Sequence, residues 1–143
     1  MVQDALSLNS VNGVLNAALT MKHSVDSGGY NHYCYNYATS KGDVEAPTLR
    51  LHQGDQLLLK VKDRIESDGS EGMDAMDPMS GSPGKLCGDG GAMTLRSTNV
   101  HFHGLNVPPT CHQDDVLTTL IQPDKPPFEF NLHIPQNEPP GLY

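Results

Sequence analysis

Apolar and polar side chains alternate with a period of two at four places along this chain. Leu15, Ala17, Leu19 and Met21 alternate with Asn16, Ala18 and Thr20, and Leu49 and Leu51 alternate with Thr48, Arg50 and His52. Leu57, Leu59 and Val61 alternate with Gln56, Leu58 and Lys60, and Phe128, Phe130, Leu132 and Ile134 alternate with Glu129, Asn131 and His133. Successive side chains on a strand point to opposite faces, so each run predicts a strand with one buried face. No long segment has the 3.6-residue period of a helix. Several half-buried strands need a second sheet to cover them, and the expected architecture is an all-β sandwich.

The stretch over 65–97 breaks the pattern. Asp, Ser, Gly, Pro and Met dominate it, and it reads as a long flexible Gly/Ser/Met-rich loop inserted between two strands. Met73, Met76 and Met79 recur within it at spacing three. Thioethers are soft ligands that favour Cu(I), and they are also ordinary apolar residues of a loose loop.

With 143 residues, 36% of them hydrophobic, the chain has material for one core, and residues 1–143 read as a single domain. The net charge of −8 argues against nucleic acid or an anionic membrane as a partner, because both demand basic patches. No apolar run reaches the length of a membrane-spanning helix. The opening Met1-Val2-Gln3-Asp4 has neither the basic start nor the apolar stretch of a secretory signal.

The candidate chemistry lies between Thr98 and Tyr143. The segment Val100-His101-Phe102-His103-Gly104 places two imidazoles on one side of an extended chain and Val100 and Phe102 on the other. Neutral imidazole binds copper, zinc, iron and nickel, so the pair is a metal platform without being selective. Gln113-Asp114-Asp115-Val116 follows, and the sequence closes on Glu138-Pro139-Pro140-Gly141-Leu142-Tyr143.

Taken in this order, the His-x-His-Gly element, the acidic pair and the Pro-x-Gly-x-Tyr turn resemble the N-terminal plastocyanin-like (cupredoxin) domain of multicopper oxidases. The upstream segment from Glu45 to Val61 resembles that family's paired early strands around a Gly-Asp turn, here Gly54-Asp55. The likeness runs from about Val11 to Tyr143. It implies a cupredoxin-like Greek-key β-sandwich and copper as cofactor. His101 would ligate a type 2 copper and His103 one of the paired type 3 coppers of a trinuclear, oxygen-reducing cluster. Asp114 or Asp115 would be the acidic residue that relays protons there. Oxygen and a small reducing substrate would be partners of the intact family member, in the periplasm or outside the cell. Relatives continue after Gly-x-Tyr into a second His-x-His, so the resemblance also implies a domain truncated before it. Such a piece is expected to bind about one copper weakly. It is expected to lack oxidase turnover, and to self-associate through an open sheet edge.

Three cysteines remain. Cys87 and Cys111 flank the His101 segment and are expected to bridge, with Cβ atoms about 4 Å apart, leaving Cys34 over. Cys111-His112 has no methionine after it to complete a blue-copper site, and it reads as unrelated to one. His23, His32, His52 and His133 match no ligand position of the family, and His112 is notable only for lying near the motif. Three functions stay open: the N-terminal piece of a multicopper oxidase, a stand-alone copper-binding or copper-handling module, and a non-catalytic sandwich whose His pair is structural.

Overall fold

The structure is a computed structural model, and it describes residues 5–66, 87, 93–123 and 125–143. Among the described residues there are seven strands: β1 (Ser7–Asn9), β2 (Val14–Val25), β3 (Asn31–Thr39), β4 (Gly42–Glu45), β5 (Thr48–Arg50), β6 (Gln56–Asp63) and β7 (Phe128–His133). The described residues include no helix, and hence none long and apolar enough to cross a membrane. The fold is all-β. Its strands form a five-stranded sheet in the order β4-β3-β2-β6-β7 and a two-stranded sheet, β1-β5.

The four alternating runs fall on β2, β5, β6 and β7. β2 is the longest because it serves two partners. Its first residues run parallel to β6, from Val14↔Gln56 to Met21↔Asp63, and its last run antiparallel to β3, from Leu19↔Tyr37 to Val25↔Asn31. β6 and β7 pair antiparallel with Leu59 opposite Phe130. The register puts Leu15, Ala17 and Leu19, Leu57, Leu59 and Val61, and Phe128, Phe130 and Leu132 into one buried cluster. Burial of each large side chain contributes about 1.5–3 kcal/mol. Leu8 and Leu49 from the small sheet pack against this cluster, as do Leu51, Val100 and Phe102.

One expectation is corrected here. The segments on either side of Gly54-Asp55 are not paired with each other, since β5 pairs with β1 while β6 pairs with β2 and β7. The turn is a corner between the sheets. Gly54 has φ +83°, which an L side chain rarely adopts. Asp55 is buried and its Oδ2 accepts the backbone N–H of His52 at 2.7 Å and the hydroxyl of Ser10 at 2.5 Å. The corner's backbone then bonds to Ile134 beyond β7, through Gly54 N–H to Ile134 O at 3.0 Å and Ile134 N–H to Asp55 O at 2.8 Å.

Of the insertion read over 65–97, Ile65 is buried and its N–H donates to Asp63 Oδ1, 2.8 Å away. Cys87 is also buried, and it forms a parallel bridge with Thr119. Met73, Met76 and Met79 lie outside the described residues.

Candidate metal centre

The His101 segment enters through a single antiparallel bridge, Thr98↔Ile121. Tyr35 on β3 reaches the same point: its hydroxyl donates to Asn99 O at 2.7 Å and pairs with Thr98 Oγ1 at 2.8 Å. From Asn99 to Thr118 no residue joins a ladder, so the two histidines do not sit on a strand as the alternation suggested. Their common side has another origin. Phe102 turns inward and meets Phe130 edge to face with centroids 5.6 Å apart, and this anchor leaves its two neighbours outside. A turn closes at once, Leu105 N–H bonding to Phe102 O at 3.2 Å.

The rings of His101 and His103 stand 5.6 Å apart at 89° to each other, both exposed. His101 Nδ1 lies 3.0 Å from Asp114 Oδ1, and the same oxygen accepts the Phe102 N–H at 2.9 Å. The Asp114 side chain is only 13% exposed. An imidazole that donates Nδ1–H to a carboxylate presents Nε2 as its free donor, which is the orientation a metal ligand needs.

Asp115 does something else. Its Oδ1 accepts the N–H of Leu117 and of Thr118 at 3.2 and 3.0 Å, and its other oxygen takes the Thr118 hydroxyl. The hydroxyl first, and the backbone donors after it, hold this carboxyl below its usual value. The geometry therefore joins Asp114, and not Asp115, to the histidine pair.

The closing Pro-x-Gly-x-Tyr turn also comes to this place. Glu138 is 3% exposed, with Oε2 accepting Asn106 N–H at 3.2 Å and Oε1 accepting Asn106 Nδ2 at 3.3 Å. Tyr143 lies over Gly104, where an added Cβ would come within 3.6 Å of its Cδ1. The Tyr143 hydroxyl donates to Pro139 O at 2.5 Å, and desolvation raises its pKa, with Glu138 adding to the rise. Neither Tyr35 nor the Glu138–Asn106 pairing was foreseen from sequence. A single glutamate beside prolines is the only signal the second one leaves in the sequence.

Cys87 and Cys111 form a disulfide with Cα atoms 5.3 Å apart, and Cys34 is free. Burial, and Glu45 beside it, push the Cys34 thiol up. The bridge ties the loop that carries Asp114 to residue 87. His112, next to the bridge, takes the left-handed region at φ +67° and lies along β7. Its Nδ1 is 2.7 Å from Glu129 O, its carbonyl accepts Asn131 N–H at 2.7 Å, and its ring stacks on Phe128. It thus covers two backbone groups on the outer edge of the sheet. No described contact brings His112 to the histidine pair.

Among the described residues, the one group of three metal-type donors within mutual reach is Cys87, Cys111 and His112. In the oxidised chain its two sulfurs are bonded to each other. His101, His103 and Asp114 make a two-imidazole platform with an orienting carboxylate, short of a closed three-donor site. No family model, no curated protein and no solved structure matches this chain.

Proposed function

We propose that this chain is a copper-binding, cupredoxin-like Greek-key β-sandwich of the multicopper oxidase kind, contributing His101 and His103 to a copper site. The observation that carries the reading is the pair of exposed rings 5.6 Å apart with Nδ1 of one tied to Asp114. Two neutral imidazoles fit copper by donor type. The disulfide, the packing of Phe102 and the Tyr35–Asn99 bond support it further, since ligands serve best on a braced backbone.

Bound copper would supply one-electron transfer to oxygen in an intact oxidase. The chain's own residues do the positioning: Asp114 fixes the His101 tautomer, Phe102 holds the segment against the core, and Glu138 holds the turn after His103 through Asn106. Asp114 is the carboxylate available to carry a proton to or from the site. Val116 and Tyr143, both exposed, flank the segment, the first through Asn99 Nδ2 to Val116 O at 3.4 Å and the second over Gly104. Exposed apolar side chains beside an incomplete ligand set suit a site completed by further protein.

The alternative is a copper-handling module without catalysis, and the two-donor count favours it for this chain taken by itself. Copper titration of the purified chain tests the shared claim. Binding of about one ion, weakened in both His101→Ala and His103→Ala, is expected; binding unchanged from wild type in both variants would move the site elsewhere. Both readings expect no turnover in oxygen-electrode assays with a phenolic reductant. Sustained turnover near roughly 1 per second would overturn both as stated and require a site assembled between chains.

A further inference from the structure

We propose that reduction of the Cys87–Cys111 bridge opens a second metal site, built from the two thiolates and the His112 imidazole and suited to a thiolate-preferring cation such as Zn2+ or Cu+. This does not rest on the copper reading of His101 and His103. Both sulfurs and a ring nitrogen of His112 already lie within 4.8 Å of one another. In a tetrahedral thiolate–imidazole site, with metal–sulfur distances near about 2.3 Å and metal–nitrogen distances of about 2.0–2.1 Å, the donors stand roughly 3.5–4 Å apart. Breaking the S–S bond lets the exposed Cys111 side chain swing out to that separation, while buried Cys87 stays fixed by its bridge to Thr119.

His112 is the second, independent observation. Its Nδ1 bonds to a backbone carbonyl, Glu129 O at 2.7 Å, which is how proteins orient a ligating imidazole so that Nε2 carries the lone pair. The ring is further set by stacking on Phe128, with an interplanar angle of 11°. A non-glycine residue held at φ +67° by the structure around it belongs to a built feature and not to a loose loop. Cys111 and His112 are exposed, so an ion has an open approach and a place for a fourth, solvent ligand.

The chemistry balances. A phosphine or dithiol reductant gives two electrons to the S–S bond, and two protons complete the thiols. Binding of a divalent ion then releases both protons as the thiolates ligate. Cysteine pairs of this kind couple metal affinity to the redox poise of the compartment.

The test uses the full chain, reduced with a phosphine, freed of reductant without air, and titrated with Co2+ as a spectroscopic substitute for Zn2+. A sulfur-to-cobalt charge-transfer band saturating at one ion per chain is expected, displaced by Zn2+ and absent from the oxidised chain. It should persist in Cys34→Ser and in the double variant His101→Ala/His103→Ala. In His112→Ala the affinity should fall at least about tenfold, since even outer partners of a metal ligand carry that much. No band in the reduced wild-type chain would overturn the proposal, as would a band lost in Cys34→Ser or unchanged in affinity in His112→Ala. The oxidised and reduced wild-type chains share one sequence, so the comparison stands even if a cysteine variant fails to fold.

Discussion

Replacing Asp114 by alanine should weaken copper binding by about 10–100-fold, and replacing Asp115 by alanine should leave it unchanged. Asp114 Oδ1 receives both His101 Nδ1 at 3.0 Å and Phe102 N–H at 2.9 Å, so its removal frees the ring and the backbone that carries it. A loss of about 10–100-fold corresponds to about 1.4–2.7 kcal/mol, which is the worth of one hydrogen bond to a charged group. The substitution Asp114→Asn separates geometry from charge. A neutral amide oxygen still accepts from both donors but raises the basicity of the ring less, so this variant should fall between the wild type and Asp114→Ala. Asp115→Ala removes the acceptor for the N–H groups of Leu117 and Thr118 in their turn and should cost about 1 kcal/mol of folding stability with copper affinity intact. Competitive titration against a copper chelator, alongside urea unfolding of each variant, reads both quantities. The reasoning is refuted if Asp114→Ala binds as tightly as wild type, or if the two alanine variants lose affinity alike.

Two further outcomes concern stability. Closing a loop of 24 residues, the Cys87–Cys111 bridge should contribute about 3.5 kcal/mol by chain entropy, so urea midpoints of the oxidised and reduced chains should differ accordingly; coincident midpoints would show the bridge to be energetically idle. Asp63, fully buried on β6, has its carboxyl raised above the ordinary 3.8 by burial, against the opposing pull of Ile65 N–H and of the Lys62 and Arg96 charges. The folded chain binds that proton more tightly than the unfolded one, so the contribution is complete below pH 3.8 and is lost as pH rises through the folded value. Stability measured in steps upward from pH 3.8 should therefore decline less in Asp63→Asn than in wild type, and parallel curves would exclude Asp63 as the cause.

The strands that sequence displayed are those whose alternation separates core from solvent, β2, β5, β6 and β7. β3 escaped because Tyr33, Tyr35 and Tyr37 face the same side as polar-tipped aromatics. Tyr33 is also left 55% exposed where the β2–β3 pair runs past the core, so burial contrast is weak there. β1 and β4 are too short to show a period. The histidine pair was legible as a motif, yet its common side comes from the Phe102 anchor and the following turn and not from a strand. The choice between Asp114 and Asp115 was not legible at all. Adjacent residues point to opposite sides, and which one turns toward His101 depends on the path of the loop after Cys111, fixed by a disulfide and by the His112 contacts to β7. Long-range pairings such as the parallel β2–β6 ladder leave no local trace in sequence.

Pulsed electron paramagnetic resonance on the chain loaded with one Cu2+ tests the central claim most directly, because the echo modulation counts coordinated imidazoles. Modulation from two imidazoles is expected in the wild type and from one in each of His101→Ala and His103→Ala. A wild-type pattern retained in both variants, or no imidazole modulation in the wild type, would contradict it.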